Sequence, residues 1–291
     1  MIRRARREDI PLLMELWEAS FGDSRAYISF FFEKRFSPQE TFLFEWGGRP
    51  VSMLFLLDAQ LQHGGKHYAV KYLYAACTAP SFRGQGVMRR LIDFAARSAA
   101  EEGADCIALV PASQGLFRYY AGCGFQNAFF CETLQLSRQE MGQLAAGSAA
   151  SGSPLAVPEM AEIRRTVLRP RDHLAWDTAA LEYALEEHKF SGGSAMGVRS
   201  GEQQGYCLFD QQGDVCFVQE LLIARGAVDS MFSALMKESD AHIFSLHCPV
   251  GLLPFSNRAE KRAYGMLRPV SPRAARLPQT LQNAYLGLSL G

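Results

Sequence analysis

The chain has 291 residues and a mass of 32.3 kDa, with 30 Lys+Arg against 30 Asp+Glu and a formal charge of zero. A neutral total excludes attachment to nucleic acid through a global positive field, because counterion release from phosphates needs a basic surplus; at 48% hydrophobic and 21% charged, the composition also excludes a disordered chain. Val51–Leu57, seven residues including a serine, is the longest kind of apolar run present, well short of the about 20 that a spanning helix needs. Glu8 and Asp9 interrupt the opening MIRRARRED where the apolar part of a signal peptide would begin. The expectation is a cytoplasmic protein without nucleic-acid or membrane partners. Seven cysteines without a CxxC pair, and histidines without ligand spacing, support neither a disulfide framework nor a metal site.

In chain order, a short strand near Ile2–Ala5 precedes a helix that starts at Asp9 and Pro11 and turns Leu13, Leu16 and Trp17 to one face. Asp23 or Ser24 caps a second helix carrying Tyr27, Phe30 and Phe31. Thr41–Trp46 reads as a strand closed by Gly47-Gly48, and Val51–Leu61 and His67–Thr78 form a hairpin about His63-Gly64-Gly65. From Val87, a helix sets Leu91, Phe94 and Ala95 against Arg90, Asp93, Arg97 and Glu101. A buried strand at Cys106–Val110 and a helix through Tyr120, ending at Gly122–Gly124, complete this half.

The run Ala145–Pro154, AAGSAASGSP, contains only small residues and proline, the composition of a linker. Beyond it, a helix at Trp176–Glu187, a hairpin of Tyr206–Phe209 and Val215–Ile223, a helix at Val228–Lys237 and a strand at His242–Leu246 repeat the earlier order of elements. The expected organisation is a domain at 1–137, a linker at 138–161 and a second domain at 162–291.

Chemistry concentrates between the strand ending at Thr78 and the helix beginning at Val87, where the chain reads PSFRGQGVMRR from Pro80 to Arg90. Arg83, Arg89 and Arg90 crowd a helix N-terminus whose dipole is already positive, an arrangement that an anion reconciles. Gly84 and Gly86 allow close approach, so the amides of Gly84, Gln85, Gly86, Val87, Met88 and Arg89 are candidates for gripping a diphosphate. A Walker loop is excluded by the lack of Gly-Lys-Ser/Thr, and the GxGxxG dinucleotide fingerprint fails where Arg89 replaces its third glycine.

Small residues at Ala75-Ala76-Cys77-Thr78, then Pro80 and the loop from Arg83 to Met88, resemble the acetyl-coenzyme A motif of the Gcn5-related N-acetyltransferases. Arg83 and Gly86 match its Arg/Gln-x-x-Gly-x-Gly/Ala pattern, and Met88 departs from it. Leu109-Val110-Pro111, Ser113, Leu116–Tyr120 and Gly124-Phe125 resemble the family's fifth strand and the helix that follows. The resemblance covers about residues 1–135. The second half is similar to the degenerate second domain of the enhanced-intracellular-survival branch, without room before Gly291 for that branch's sterol-carrier-like domain.

The resemblance implies an α/β fold with a mixed, mostly antiparallel central sheet and flanking helices, repeated in two tandem domains. It implies acetyl-CoA as co-substrate, a small-molecule or peptide amine as acceptor, and a chain free to self-associate. Ala76, Cys77, Thr78 and Ser113 would then face the thioester and pantetheine arm, with backbone amides polarising the carbonyl, and Tyr120 would protonate the departing thiolate. Glu132 is a weaker candidate for a base acting through water, and Cys77, Cys123, His67, His242 and His247 read as structural. Two other expectations stay open: a non-catalytic acyl-CoA sensor, suggested by Met88, and an aminoacyl-transferase of the same tandem type. Ala224–Val228 is too short to wrap a diphosphate, so the second domain is expected to bind no coenzyme, and a role for the Gly291 carboxylate is left open.

Overall fold

The computed structural model describes residues 1–145 and 147–289, which form two compact units. The first comprises Met1–Asn127 together with Gly265–Thr280; the second comprises Ala128–Tyr264 and the chain from Leu281 onward.

In the first unit the strands are β1 (Ile2–Arg4), β2 (Thr41–Trp46), β3 (Arg49–His63), β4 (Lys66–Thr78) and β5 (Cys106–Leu109), and the helices are α1 (Ile10–Phe21), α2 (Arg25–Lys34), α3 (Val87–Glu101) and α4 (Gln114–Gly122). Neighbouring strands from β1 to β4 pair antiparallel, and β5 joins β4 in parallel. His63 faces Lys66 across Gly64 and Gly65, both with positive φ, the two-residue turn that matches strand twist. Ser24 caps α2 by accepting the Tyr27 amide, while Asp23 takes the Trp17 indole N–H at 2.7 Å. Leu91, Ile92 and Ala95 of α3 close over Leu54, Leu56, Ile107 and Leu109 to form the core. A second group of aromatics meets at Trp17, Phe31 and Phe55, with ring centroids 4.8 to 5.9 Å apart.

All of β5 is buried, so its second edge needs a hydrogen-bonding partner. Gly265–Pro269 supplies it, running antiparallel from Met266 opposite Leu109 to Pro269 opposite Cys106. This unit is therefore discontinuous in sequence and ends, in its first segment, at Asn127.

The second unit contains β6 (Gln126–Ser137), α5 (Arg138–Leu144), β7 (Ser153–Pro154), α6 (Val157–Leu168), β8 (His173–Ala175), α7 (Thr178–Phe190), β9 (Ser194–Ser200), β10 (Gln203–Gln212), β11 (Val215–Ile223), α8 (Val228–Glu238), β12 (Ile243–Cys248) and the first half of β13 (Glu260–Pro269). Its sheet runs β6-β12-β11-β10-β9-β7, parallel only between β12 and β11. The Ala/Gly/Ser run lies along α8, where the Ser233 hydroxyl donates to the Ser148 carbonyl at 3.1 Å and the Lys237 ammonium to that of Ala149 at 2.7 Å. A buried quartet fixes this unit's interior: Glu220 accepts from Arg164 at 2.7 Å, from Tyr285 at 3.0 Å and from Tyr206. Among the described residues no helix is long and apolar enough to cross a membrane.

Candidate active site

A 3-10 turn at Pro80–Phe82 carries the chain off β4, and Gly84 and Gly86 then adopt φ of +74° and +71° before α3 begins. A β-carbon at either glycine would meet nothing within 4 Å, so the space above the loop is open. The first amide to find a helical partner is that of Arg90, which donates to the Gly86 carbonyl at 3.1 Å. Among the described residues the amides from Gly84 to Arg89 have no internal acceptor, and no side chain caps the helix. Six such donors at a positive helix end fit an anionic diphosphate. Met88 packs against the core that contains Leu91 and Tyr120 and leaves its amide uncovered.

The arginines divide the work differently from the expectation that all three face phosphates. Arg83 donates through Nε to the Thr78 carbonyl at 2.9 Å and braces the loop, as Gln85 does by donating to Ser81 at 2.9 Å. Arg90 lies over the Phe44 ring, 5.0 Å from its centroid, and Arg89 is exposed at the first turn.

β4 opens beside this loop. Met53 pairs with Cys77 but Phe55 pairs with Tyr74, so β4 bulges between them, and Ala75 takes a left-handed φ of 45° at the bulge. Pairing with β5 covers only Val70, Lys71 and Tyr72, leaving the edge from Leu73 to Thr78 without a ladder on that side. The Ala79 amide donates to Val51 of β3, so alternation turns the amides of Thr78 and Ala76 to the opposite, open edge. Ser52 fixes the other edge by bonding the Cys77 carbonyl and the Thr78 hydroxyl, each at 2.9 Å. Amides placed in this way can donate to a carbonyl oxygen.

Tyr120 belongs to the core cluster that also holds Cys123 and Phe125, and only 8% of it is exposed. Burial first, then the nearby thiols of Cys123 and Cys77, push its phenol up to about 12, so it remains a proton donor across the neutral range. Tyr119, one residue earlier, is 40% exposed, its ring 5.3 Å from that of Tyr120 between centroids and steeply inclined to it. Ser113 sits at the N-cap of α4, exposed and with its hydroxyl uncommitted to capping. Burial holds the Cys77 thiol up at about 12, which suits a packing residue better than a nucleophile.

Ala76, Cys77, Thr78, the 83–89 loop, Ser113 and Tyr120 thus all belong to the first unit. Glu132 belongs to the second, on β6 opposite Cys248, where it is buried instead of superficial and its Oε2 has no partner among the described residues. Gly291 lies outside the described residues. Sequence reasoning missed the Ala75 bulge, since a left-handed alanine has no signature in residue type.

Residues 1–128 match the family model described as an acetyltransferase (GNAT) domain. This segment belongs to that family. Acyl transfer from acetyl-CoA is the general chemistry of GNAT domains. The fold is shared over nearly the whole chain. A GCN5-related N-acetyltransferase from Anabaena variabilis is 15% identical, with a TM-score of 0.73 over 93% of this chain and 73% of its own. A probable N-acyltransferase from Enterococcus faecalis is 14% identical, with a TM-score of 0.73 over 93% and 72%. Eis1 from Mycobacterium abscessus is 12% identical, with a TM-score of 0.69 over 94% and 75%. No curated protein matches the sequence.

The second unit offers no equivalent of the GNAT domain's loop. Between β11 and α8 lie only Ala224–Ala227, and a β-carbon at Gly226 would press on Gln203 Cγ at 3.2 Å. Asp229 stands in the first turn of α8, its carboxylate accepting the Ser230 amide at 2.8 Å. A carboxylate there occupies the positive helix end and repels a phosphate.

Proposed function

We propose that the protein is an acetyl-CoA-dependent N-acetyltransferase acting on a primary amine of a small molecule or peptide. The observation that carries the reading is the run of six unpartnered amides from Gly84 to Arg89 beside the open, bulged edge of β4. Acetyl-CoA supplies the acetyl group as an activated thioester. The Gly84–Arg89 amides hold its diphosphate, with Arg83 bracing the loop from behind. The Ala76 and Thr78 amides donate to the pantetheine arm and to the thioester oxygen, where negative charge grows as the amine nitrogen bonds to the carbonyl carbon. When the carbon–sulfur bond breaks, the Tyr120 hydroxyl gives its proton to sulfur, and the proton shed by the amine leaves through water and restores the phenol.

In this reading the second unit is a degenerate relative of the first that takes no coenzyme, consistent with Asp229 at the start of α8. The test joins calorimetric titration of acetyl-CoA to a panel of polyamines, aminoglycosides and peptides scored by thiol release. One site per chain and acceptor-dependent thiol release are expected. Absence of binding removes the reading; binding without turnover on any amine turns it into a sensor.

A further inference from the structure

Phe42, Phe44 and Trp46 alternate along β2 and so share one face. The extra residue where β2 and β3 change register is Val51 on β3, so the alternation on β2 is unbroken. α3 covers this face in step: the Phe94 ring is 6.2 Å from that of Phe42, and one helical turn earlier the Arg90 guanidinium is 5.0 Å over Phe44. The strand advances roughly 6.6 Å per two residues and the helix about 6 Å per four. One further turn toward the helix start is Gly86, which has no side chain, and above it lies open space. Phe42 and Phe44 are buried under their covers, whereas Trp46 is 64% exposed and touched by the Phe82 ring at 6.3 Å, tilted by 60°.

The row therefore ends in an aromatic ring without a cover, beside the Gly84–Arg89 amides. We infer that Trp46 is the platform on which the adenine ring of acetyl-CoA stacks, an assignment that rests on the acetyl-CoA reading above. One ribose joins adenine to the diphosphate, a span comparable to one step of the row, so a diphosphate on the amides leaves the base within reach of the indole. Stacking on an aromatic face tolerates an otherwise solvated base and needs no hydrogen-bonding groups from the protein. Phe82 packs against the indole and couples the platform to the phosphate loop.

Trp46 is the exposed one of three tryptophans, since Trp17 and Trp176 are buried, and the emission that disappears in Trp46→Phe identifies its share of the intrinsic fluorescence. The experiment titrates wild type, Trp46→Phe and Trp46→Ala with acetyl-CoA and with S-acetyl-4′-phosphopantetheine, which carries the same thioester arm but no adenosine. Acetyl-CoA should quench wild-type emission and the truncated thioester should not. Trp46→Ala should loosen acetyl-CoA by about tenfold or more, Trp46→Phe by less, and neither should change the affinity for the truncated thioester. Equal acetyl-CoA affinity in wild type and Trp46→Ala overturns the platform and leaves the acetyl-CoA reading standing. Equal weakening of both ligands also overturns it, because Trp46 would then act only through the loop. Failure of wild type to bind acetyl-CoA overturns both.

Discussion

Arg268 reaches back across 175 positions of chain to donate to Asp93 of α3 at 2.8 Å. The same returning segment brings Ser271 and Arg273 to the Asp105 carboxylate at 2.8 and 3.3 Å, while that carboxylate also accepts the Ala69 amide. A fragment of residues 1–137 lacks the returning segment and exposes the edge of a wholly buried strand. It should be aggregated or unfolded by size-exclusion chromatography and circular dichroism. A soluble, active fragment would show that Gly265–Thr280 is dispensable.

Gly86 has a left-handed φ and open space before it, both suited to an approaching diphosphate. Glutamate there adds strain, bulk and a negative charge at once. Calorimetry of a folded Gly86→Glu variant should show no acetyl-CoA binding, and wild-type affinity should fall as salt rises. Unchanged affinity in the variant would move the diphosphate elsewhere.

The phenol of Tyr120 is raised by burial to about 12, above its ordinary value near 10. Its proton is thus retained through the alkaline range, and any stability linked to the neutral phenol is lost only as pH rises through the folded value. Single-turnover rates should climb as the acceptor amine deprotonates and show no decline up to about pH 10. A decline between about pH 8 and 9.5 that disappears in Tyr120→Phe would contradict the raised phenol.

Arg164 and Glu220 are almost fully buried, with the Tyr206 hydroxyl accepting from Arg164 and the Tyr285 hydroxyl donating to Glu220. Arg164→Met leaves a buried carboxylate without its countercharge and should cost about 3–5 kcal/mol in denaturant unfolding. The double variant Arg164→Met/Glu220→Leu should cost less than the sum of the two single changes. Additive losses would mean that the ion pair carries no coupling.

Much of the fold is legible locally. The Gly64-Gly65 turn sets the β3–β4 register because two successive positive-φ residues suit a two-residue hairpin, and the apolar face of α3 follows from its period. The Gly84–Arg89 loop is legible as a candidate anion site because its charge is reversed for a helix start. What stays hidden is non-local. Nothing in Gly265–Pro269 announces its pairing with Cys106–Leu109, about 160 residues away, and the division of tasks among Arg83, Arg89 and Arg90 depends on which carbonyl or ring each one meets. Asp229 on α8 reads in the sequence as an ordinary first-turn acid, although the short connection before it is legible there.

The role proposed for Tyr120 is that of acid for the departing thiolate. It is tested most directly by single-turnover acetylation of the best acceptor, comparing wild type with Tyr120→Phe and Tyr119→Phe. Phenylalanine keeps the ring and its packing and removes the transferable proton, so Tyr120→Phe should slow the chemical step by about 10² to 10⁴-fold with acetyl-CoA affinity nearly unchanged, while Tyr119→Phe should change it little. Equal rates for wild type and Tyr120→Phe would contradict the account and leave water as the acid.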